Sequence, residues 1–262
     1  MKDDVDDYEV VSRANWSIAP RLVEGRRSLG NRNRKDFIRC SASPPPPLVS
    51  YCVSVYNRSI LEGSDREYLP SLVKTLVEDS PEHAELVVTD WFSTDLPLRD
   101  WLPNVWTKDL QIIDMEGQFA LGKGKAVACE RANGEYIFVN DADVLIPKGY
   151  TQTIISYLDE GWGSAFPLDF YETKEGGITP SPKKLNEFKN KKSHAGRGQG
   201  NYAFRQSDWP KMRGGYGKLE EKTTWGGEDH KIYGRAHSLG PVWRHWIPGF
   251  IHQWHPKSFY GN

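Results

Sequence analysis

No apolar run in this chain approaches the length needed to cross a bilayer, and the opening residues, Met1-Lys2-Asp3-Asp4, lack the apolar core of a signal peptide. The chain as given is therefore expected to be soluble and cytoplasmic or otherwise intracellular, and it would also suit one domain of a longer polypeptide. Cysteine is scarce. Cys40, Cys52 and Cys129 are odd in number and set in or near apolar runs, which argues against a disulfide framework and for reduced core thiols. An excess of charge of either sign is missing too. With 34 basic and 35 acidic side chains the formal net charge is -1, so no whole-molecule field draws in nucleic acid or an anionic membrane.

What is present is enough apolar material for one sizeable core: 38% of the 262 residues are hydrophobic and 12% aromatic. Residues 1–47 stand apart as a polar N-terminal arm. It is acidic at first, basic between Arg21 and Arg39, and closes on a polyproline connector, Ser43-Pro44-Pro45-Pro46-Pro47. From Leu48 onward short apolar runs alternate with helical patterns. Strands are expected over 48–55, 84–88, 110–114 and 136–139, and helices over 66–78 and 122–132. A helix over 150–158 and a short strand over 164–168 come next. Strands alternating with helices imply an α/β fold in which a mainly parallel central sheet is flanked by helices and the crossovers are right-handed. That arrangement brings Asn57, Asp90 and Asp141 to one edge of the sheet.

Four stretches carry chemistry. The strand over 136–139 ends on Asn140-Asp141-Ala142-Asp143, two hard oxygen donors at the sheet edge where a metal and a phosphate can meet; an acidic turn capping the next helix is the plainer alternative. Upstream, Lys125 either pairs with those acids, meets a phosphate, or is simply solvated. Gly196, Gly198 and Gly200 precede an aromatic strand, a spacing that lets backbone approach something closely, with a sugar ring or a ligand-free tight turn as the two readings. The basic stretch over 183–197 before it reads as a solvated loop. Further on, Trp225-Gly226-Gly227-Glu228-Asp229 forms a hinge-capable turn that places two acids in the first turn of a helix. There the dipole favours ionised carboxylates, as a general base requires; a helix capped by two acids is the alternative. Finally, His252 and His255 flank Trp254 and can offer neutral nitrogen to a divalent ion already held by carboxylates.

Across about 48–255 this order of strands, Tyr56-Asn57-Arg58, Asp90, Lys125 and Asp141-Ala142-Asp143 resembles GT-A-fold (Rossmann-like) glycosyltransferases, and Trp225-Gly226-Gly227-Glu228-Asp229 is very similar to the motif of β-1,4-galactosyltransferases and chondroitin-type polymerases. The resemblance implies a single domain over 48–262, with a nucleotide-sugar half (48–147) and an acceptor and catalytic half (148–262). It implies that Asn57 or Arg58 and Asp90 hold uridine, and that Lys125 and Asp141 face the nucleotide. Gly200, Trp225 and Gly227 would lie at the donor sugar, with Glu228 holding one of its hydroxyls and Asp229 acting as the base. Asp143, helped by Asp141 and by His255 or His252, would bind Mn²⁺, with Mg²⁺ as the substitute. In those enzymes a Met-x-x-His or a single His completes the metal shell, and here the first position is His252. The implied activity is inverting transfer of a hexose, galactose by analogy, from a UDP-sugar to a hydroxyl of a glycan or glycoprotein, without nucleic acid. A retaining relative is one rival, although such enzymes commonly carry Asn where this chain has Asp229. A sugar-nucleotide pyrophosphorylase is another, but it needs a glycine-rich loop where Tyr56-Asn57-Arg58-Ser59 stands. A non-catalytic carbohydrate-binding module would suit the ten tryptophans but has no need of a metal site facing an ionised Asp.

Overall fold

The computed structural model describes residues 48–60, 66–180, 199–214 and 228–256. The arm over 1–47, the basic stretch over 183–197, Trp225 and Gly227 lie outside them. The described chain runs β1 (Val49–Val55), α1 (Leu69–Asp79), β2 (Ala84–Asp90), α2 (Leu98–Val105), β3 (Asp109–Asp114), α3 (Leu121–Arg131), β4 (Tyr136–Asn140) and β5 (Val144–Leu145). It continues through α4 (Tyr150–Asp159), β6 (Ser164–Ala165), β7 (Leu168–Glu172), β8 (Ile178–Pro180), β9 (Tyr202–Arg205), α5 (Trp209–Arg213), α6 (Glu228–Ala236), β10 (Val242–Trp243) and β11 (Trp246–His252).

Alternation along β1 sets the two faces of the central sheet. Val49, Tyr51, Val53 and Val55 enter one apolar layer with Leu72 and Leu76 of α1 and Ile154 and Leu158 of α4. Cys52 enters the other, with Ala126 and Ala128 of α3, Met212 of α5 and Ile232 of α6. A strand covered on both sides must be apolar on both, which is why 49–55 is a nearly continuous run. β1 pairs in parallel with β2 and β4, and β2 with β3, so these four strands all end at one edge.

The expected mainly parallel α/β sheet is thus present. Its order is β10-β6-β9-β4-β1-β2-β3, and β9 runs antiparallel between β4 and β6. A second sheet, β5-β11-β7-β8, stands apart from it. The sequence reading treats 164–168 as one strand, whereas the structure assigns its two ends to different sheets. Pro167 falls at the division and has no N–H with which to continue a ladder. Helix α1 begins at Leu69 rather than at 66, with Pro70 in its first turn, where a missing N–H costs nothing. Cys52 and Cys129 are buried free thiols, as expected, and Cys40 lies outside the described residues. No described helix is long and apolar enough to cross a membrane.

Helix α3 approaches β1 unusually closely. A Cβ on Gly124 would lie 2.0 Å from Ser54 Oγ of β1. Only a glycine lets this turn of the helix lie against the strand, and the next residue, Lys125, is thereby carried under the sheet edge.

Candidate functional site

Register fixes the edge. Val55 pairs with Asp90, and Val53 with Asn140, so the loops carrying Asn57, Asp90 and Asp141 emerge together. A small cleft opens there, lined by Ser54, Tyr56, Arg58, Phe119, Asp143 and His252 among others. Asp90 Oδ1 accepts the Ser93 amide at 2.9 Å, and Asn57 Oδ1 accepts the Thr94 amide at 2.7 Å. Asn57 adopts φ 45, a left-handed conformation that Asn tolerates better than most residues. Asp90 therefore turns the loop that follows β2, and Asn57 ties that loop to the one that follows β1. Two aromatic walls escape the sequence reading: Tyr56 and Phe119 stack at 5.4 Å between ring centroids, with Trp91 edge-on to Phe119 at 5.7 Å. Tyr56 directly follows a buried strand, which is a usable signal. Phe119 sits in a stretch without periodicity and carries none.

At the floor, Lys125 is 1% exposed. Its Nζ lies 2.9 Å from Asp141 Oδ1 and 3.7 Å from Asp229 Oδ1, and donates to the Gly200 carbonyl at 3.1 Å. Burial opposes the ammonium charge, but Asp141, Asp229 and Glu228 outweigh it and hold the group above the ordinary lysine range. A solvated lysine is excluded. Gly200 does allow close approach, and its described neighbour is the protein's own acid: a Cβ there would stand 2.0 Å from Asp141 Oδ2. Replacing Gly200 with Ala should push Asp141 off Lys125. Unfolding in urea should register a loss of about 1–3 kcal/mol, with weaker donor binding; an unchanged midpoint would mean that Asp141 can move at no cost.

Glu228 and Asp229 occupy the first turn of α6, as the sequence predicts. The Asp229 side chain is 34% exposed at its rim, while Oδ1 is buried toward Lys125. Burial pushes its carboxyl up to about 7; Lys125 opposes the shift, and Asp141 and Glu228 add to it. The expectation that the helix dipole keeps this group ionised is corrected here. A dipole contributes about 0.3–1 kcal/mol at a helix end, less than is lost when water leaves one oxygen beside two other acids.

The third cluster forms where β11 meets β5. His252 is paired with Val144, and the Gln253 amide donates to the Asp143 carbonyl at 2.8 Å, so the tail is stitched to the acid it faces. His255 Nε2 lies 3.4 Å from Asp143 Oδ2, and His252 Nε2 lies 3.6 Å from Asp143 Oδ1. One donor atom from each of the three falls within 4.8 Å of the others. Donors about 2.1 Å from a common ion stand about 3.0–3.4 Å apart, so the trio would have to draw together, by up to about 1.5 Å at its widest, to close on one divalent cation. Burial works against the Asp143 charge, yet His252, Arg58 and His255 hold its carboxyl below the usual range, and burial keeps His255 below the usual imidazole value. An ionised carboxylate with neutral imidazole is the protonation pattern metal binding requires. Arg58, expected at uridine, instead places Nε 3.4 Å from Asp143 Oδ2. Asp141 stays outside the trio because Lys125 holds it. The tail is anchored from behind by Tyr68, whose hydroxyl donates to the Trp254 carbonyl at 2.9 Å, and by Glu172, which accepts the Trp254 amide at 3.0 Å.

A sequence profile of glycosyl transferase family 2 matches residues 50–210, more than half of the chain. The chain belongs to glycosyl transferase family 2. Curated protein sequences gave no match. Among solved structures, this family 2 chain is similar to residues 1–349 of S. aureus TarS, with a TM-score of 0.59 and 18% identity over 78% of this chain and 60% of that one. The same TarS fragment in complex with UDP-GlcNAc gives 0.58 and 17%, over 79% and 59%. GalNAc-T7 with UDP, GalNAc and Mn²⁺ gives 0.60 and 15%, over 83% and 45%. The chain thus spans about three fifths or less of the lengths it matches, and at these identities the likeness shows the GT-A fold. The family match ends before α6 and β11, so Asp229, His252 and His255 rest on their geometry. That geometry brings Asp141, Asp143, Asp229 and both histidines to one edge of the sheet, although some 110 positions separate the first acid from the last imidazole.

Proposed function

We propose that this family 2 transferase is metal-dependent and inverting, and moves a hexose from a UDP-sugar to a hydroxyl of a glycan or glycoprotein. One observation carries the reading: adjacent acids of a single Asp-x-Asp look two ways, Asp143 toward a histidine pair that fits a divalent ion, and Asp141, through Lys125, toward Asp229. A pyrophosphorylase or a binding module has no use for a carboxylate base tied through a buried lysine to the acid next to the metal acid.

In this reading the stacked Tyr56 and Phe119 offer an aromatic wall for the nucleobase, beside a rim held by Asp90 and Asn57. Asp143, His252 and His255 would hold Mn²⁺, which mixed carboxylate and imidazole ligands suit, and Mg²⁺ is the substitute. When bound, the ion would offset charge developing on the departing diphosphate. Arg58, buried beside Asp143, contributes a second positive charge on the same side. Glu228 is positioned next to the base to hold a hydroxyl of the transferred sugar. Asp229 takes the acceptor proton on the face opposite the leaving group, so the anomeric configuration inverts. The Glu228-Asp229 pair favours galactose by resemblance; N-acetylhexosamines differ from it by one substituent and are the competing donors. Nucleic acid has no part in the reaction.

Two measurements test this. A panel of UDP-sugars, with and without Mn²⁺, should release UDP only when metal and a suitable acceptor are present; pyrophosphate exchange or no turnover at all would end the proposal. The pH profile is the second. Asp229 accepts a proton only when ionised, and its carboxyl titrates near 7. At saturating Mn²⁺, kcat/KM should therefore climb with pH up to about 7, then level off, and fall roughly tenfold per unit on the acid side. A profile flat from pH 5 to 8 would exclude a base with this ionisation.

A further inference from the structure

Two buried polar atoms on the second sheet have no hydrogen-bond partner among the described residues: Nδ1 of His252 on β11 and Oδ1 of Asp169 on β7. Asp169 is 2% exposed, and nothing in the proposed chemistry uses it. β7 and β11 run in parallel with His252 opposite Tyr171, and the Tyr171 and His252 rings lie 4.8 Å apart on the same face. Asp169 precedes Tyr171 by two residues, so side-chain alternation brings it to that face, diagonal to His252. Both His252 and Arg244 lie near enough to act on the Asp169 carboxyl, which burial pushes up. Meanwhile His252 turns its other nitrogen, Nε2, to Asp143.

A histidine that binds metal through one nitrogen needs an acceptor for the N–H on the other, which fixes the tautomer, orients the ring and raises its basicity. We propose that Asp169 is this outer partner, the carboxylate that accepts the Nδ1–H of His252 when Nε2 holds a divalent ion. It is a positioning residue: it acts on the ion only through His252. The pairing also accounts for both orphaned atoms, because each supplies what the other lacks. The inference rests on the metal reading of Asp143, His252 and His255.

The experiment is a Mn²⁺ titration of the whole chain without nucleotide, with free Mn²⁺ followed by electron paramagnetic resonance. Asp169→Leu, which keeps the branching of Asp and removes its acceptors, should weaken binding about 10- to 100-fold. Asp169→Asn keeps an acceptor oxygen and should lose less. In a His252→Ala background, Asp169→Leu should add no further loss, because the group it positions is gone. Equal losses with and without the His252 imidazole, or no loss in either, would overturn the assignment, and the Asn variant decides it if the Leu variant does not fold. Failure of the metal reading looks different: Asp143→Ala would then bind Mn²⁺ as well as the parent chain.

Discussion

Asp229→Asn should lower transfer by about 10²- to 10⁴-fold while leaving donor affinity within a few-fold of the parent, because it removes a positioned base and little volume. The amide cannot take the acceptor proton, so the acid limb of the pH profile should vanish along with most of the rate. Lys125 sharpens the expectation. It stands 3.7 Å from Asp229 and 2.9 Å from Asp141, and in the variant it faces one acid fewer. Its charge should then be met by Asp141, in direct contact, and by Glu228, which keeps the donor side ordered. Comparing kcat with the Kd for UDP separates the two effects. Near-parent turnover in Asp229→Asn would remove Asp229 as the base, and a matched collapse of UDP binding would make it a donor residue instead.

Asp143→Ala should be more damaging, because it acts on both metal binding and stability. The acid is the shared partner of Arg58, His252 and His255. Without it the histidines have no carboxylate with which to complete a divalent site, so Mn²⁺ stimulation of transfer should disappear and chelation should have no further effect. Stability should fall as well. Arg58 is 4% exposed, and removing the partner of a buried charge costs about 3–5 kcal/mol because the remaining charge keeps its desolvation penalty. Urea unfolding without metal reads that loss. The pH dependence has a definite sign: the Asp143 carboxyl lies below its unfolded value, so its contribution is complete above about pH 4 and is lost as pH falls through the lower, native value. Transfer that survives both EDTA and Asp143→Ala would take the metal out of the mechanism.

How much of this was legible beforehand differs from residue to residue. The apolar run of β1, the helical spacing of Leu69, Leu72, Val73 and Leu76, and the strand ending on Asp141-Ala142-Asp143 are local patterns. They depend on side-chain periodicity and survive any arrangement of the remainder. Second-sheet strands were not legible. β5, β7 and β8 span two, five and three residues, too short for alternation to declare itself, and α2 contains Pro103, which argues against a helix on local grounds. Residue type did not announce the neighbours of Arg58 and Gly200: in the structure each faces an acid of the Asp-x-Asp.

Periodicity and motif spacing were sufficient for the α/β class, the sheet edge at which chemistry collects, and the acids and imidazoles eligible for it, since all of these arise from short stretches of chain. Packing chose among the eligible groups. Which acid meets the histidines, which one the buried lysine holds, and how far Asp229 is lifted from an ordinary carboxyl depend on distances of 3 to 4 Å between residues up to about a hundred positions apart, and on how little water remains between them. Electrostatic interactions at that range are dominated by local burial, which no linear pattern encodes.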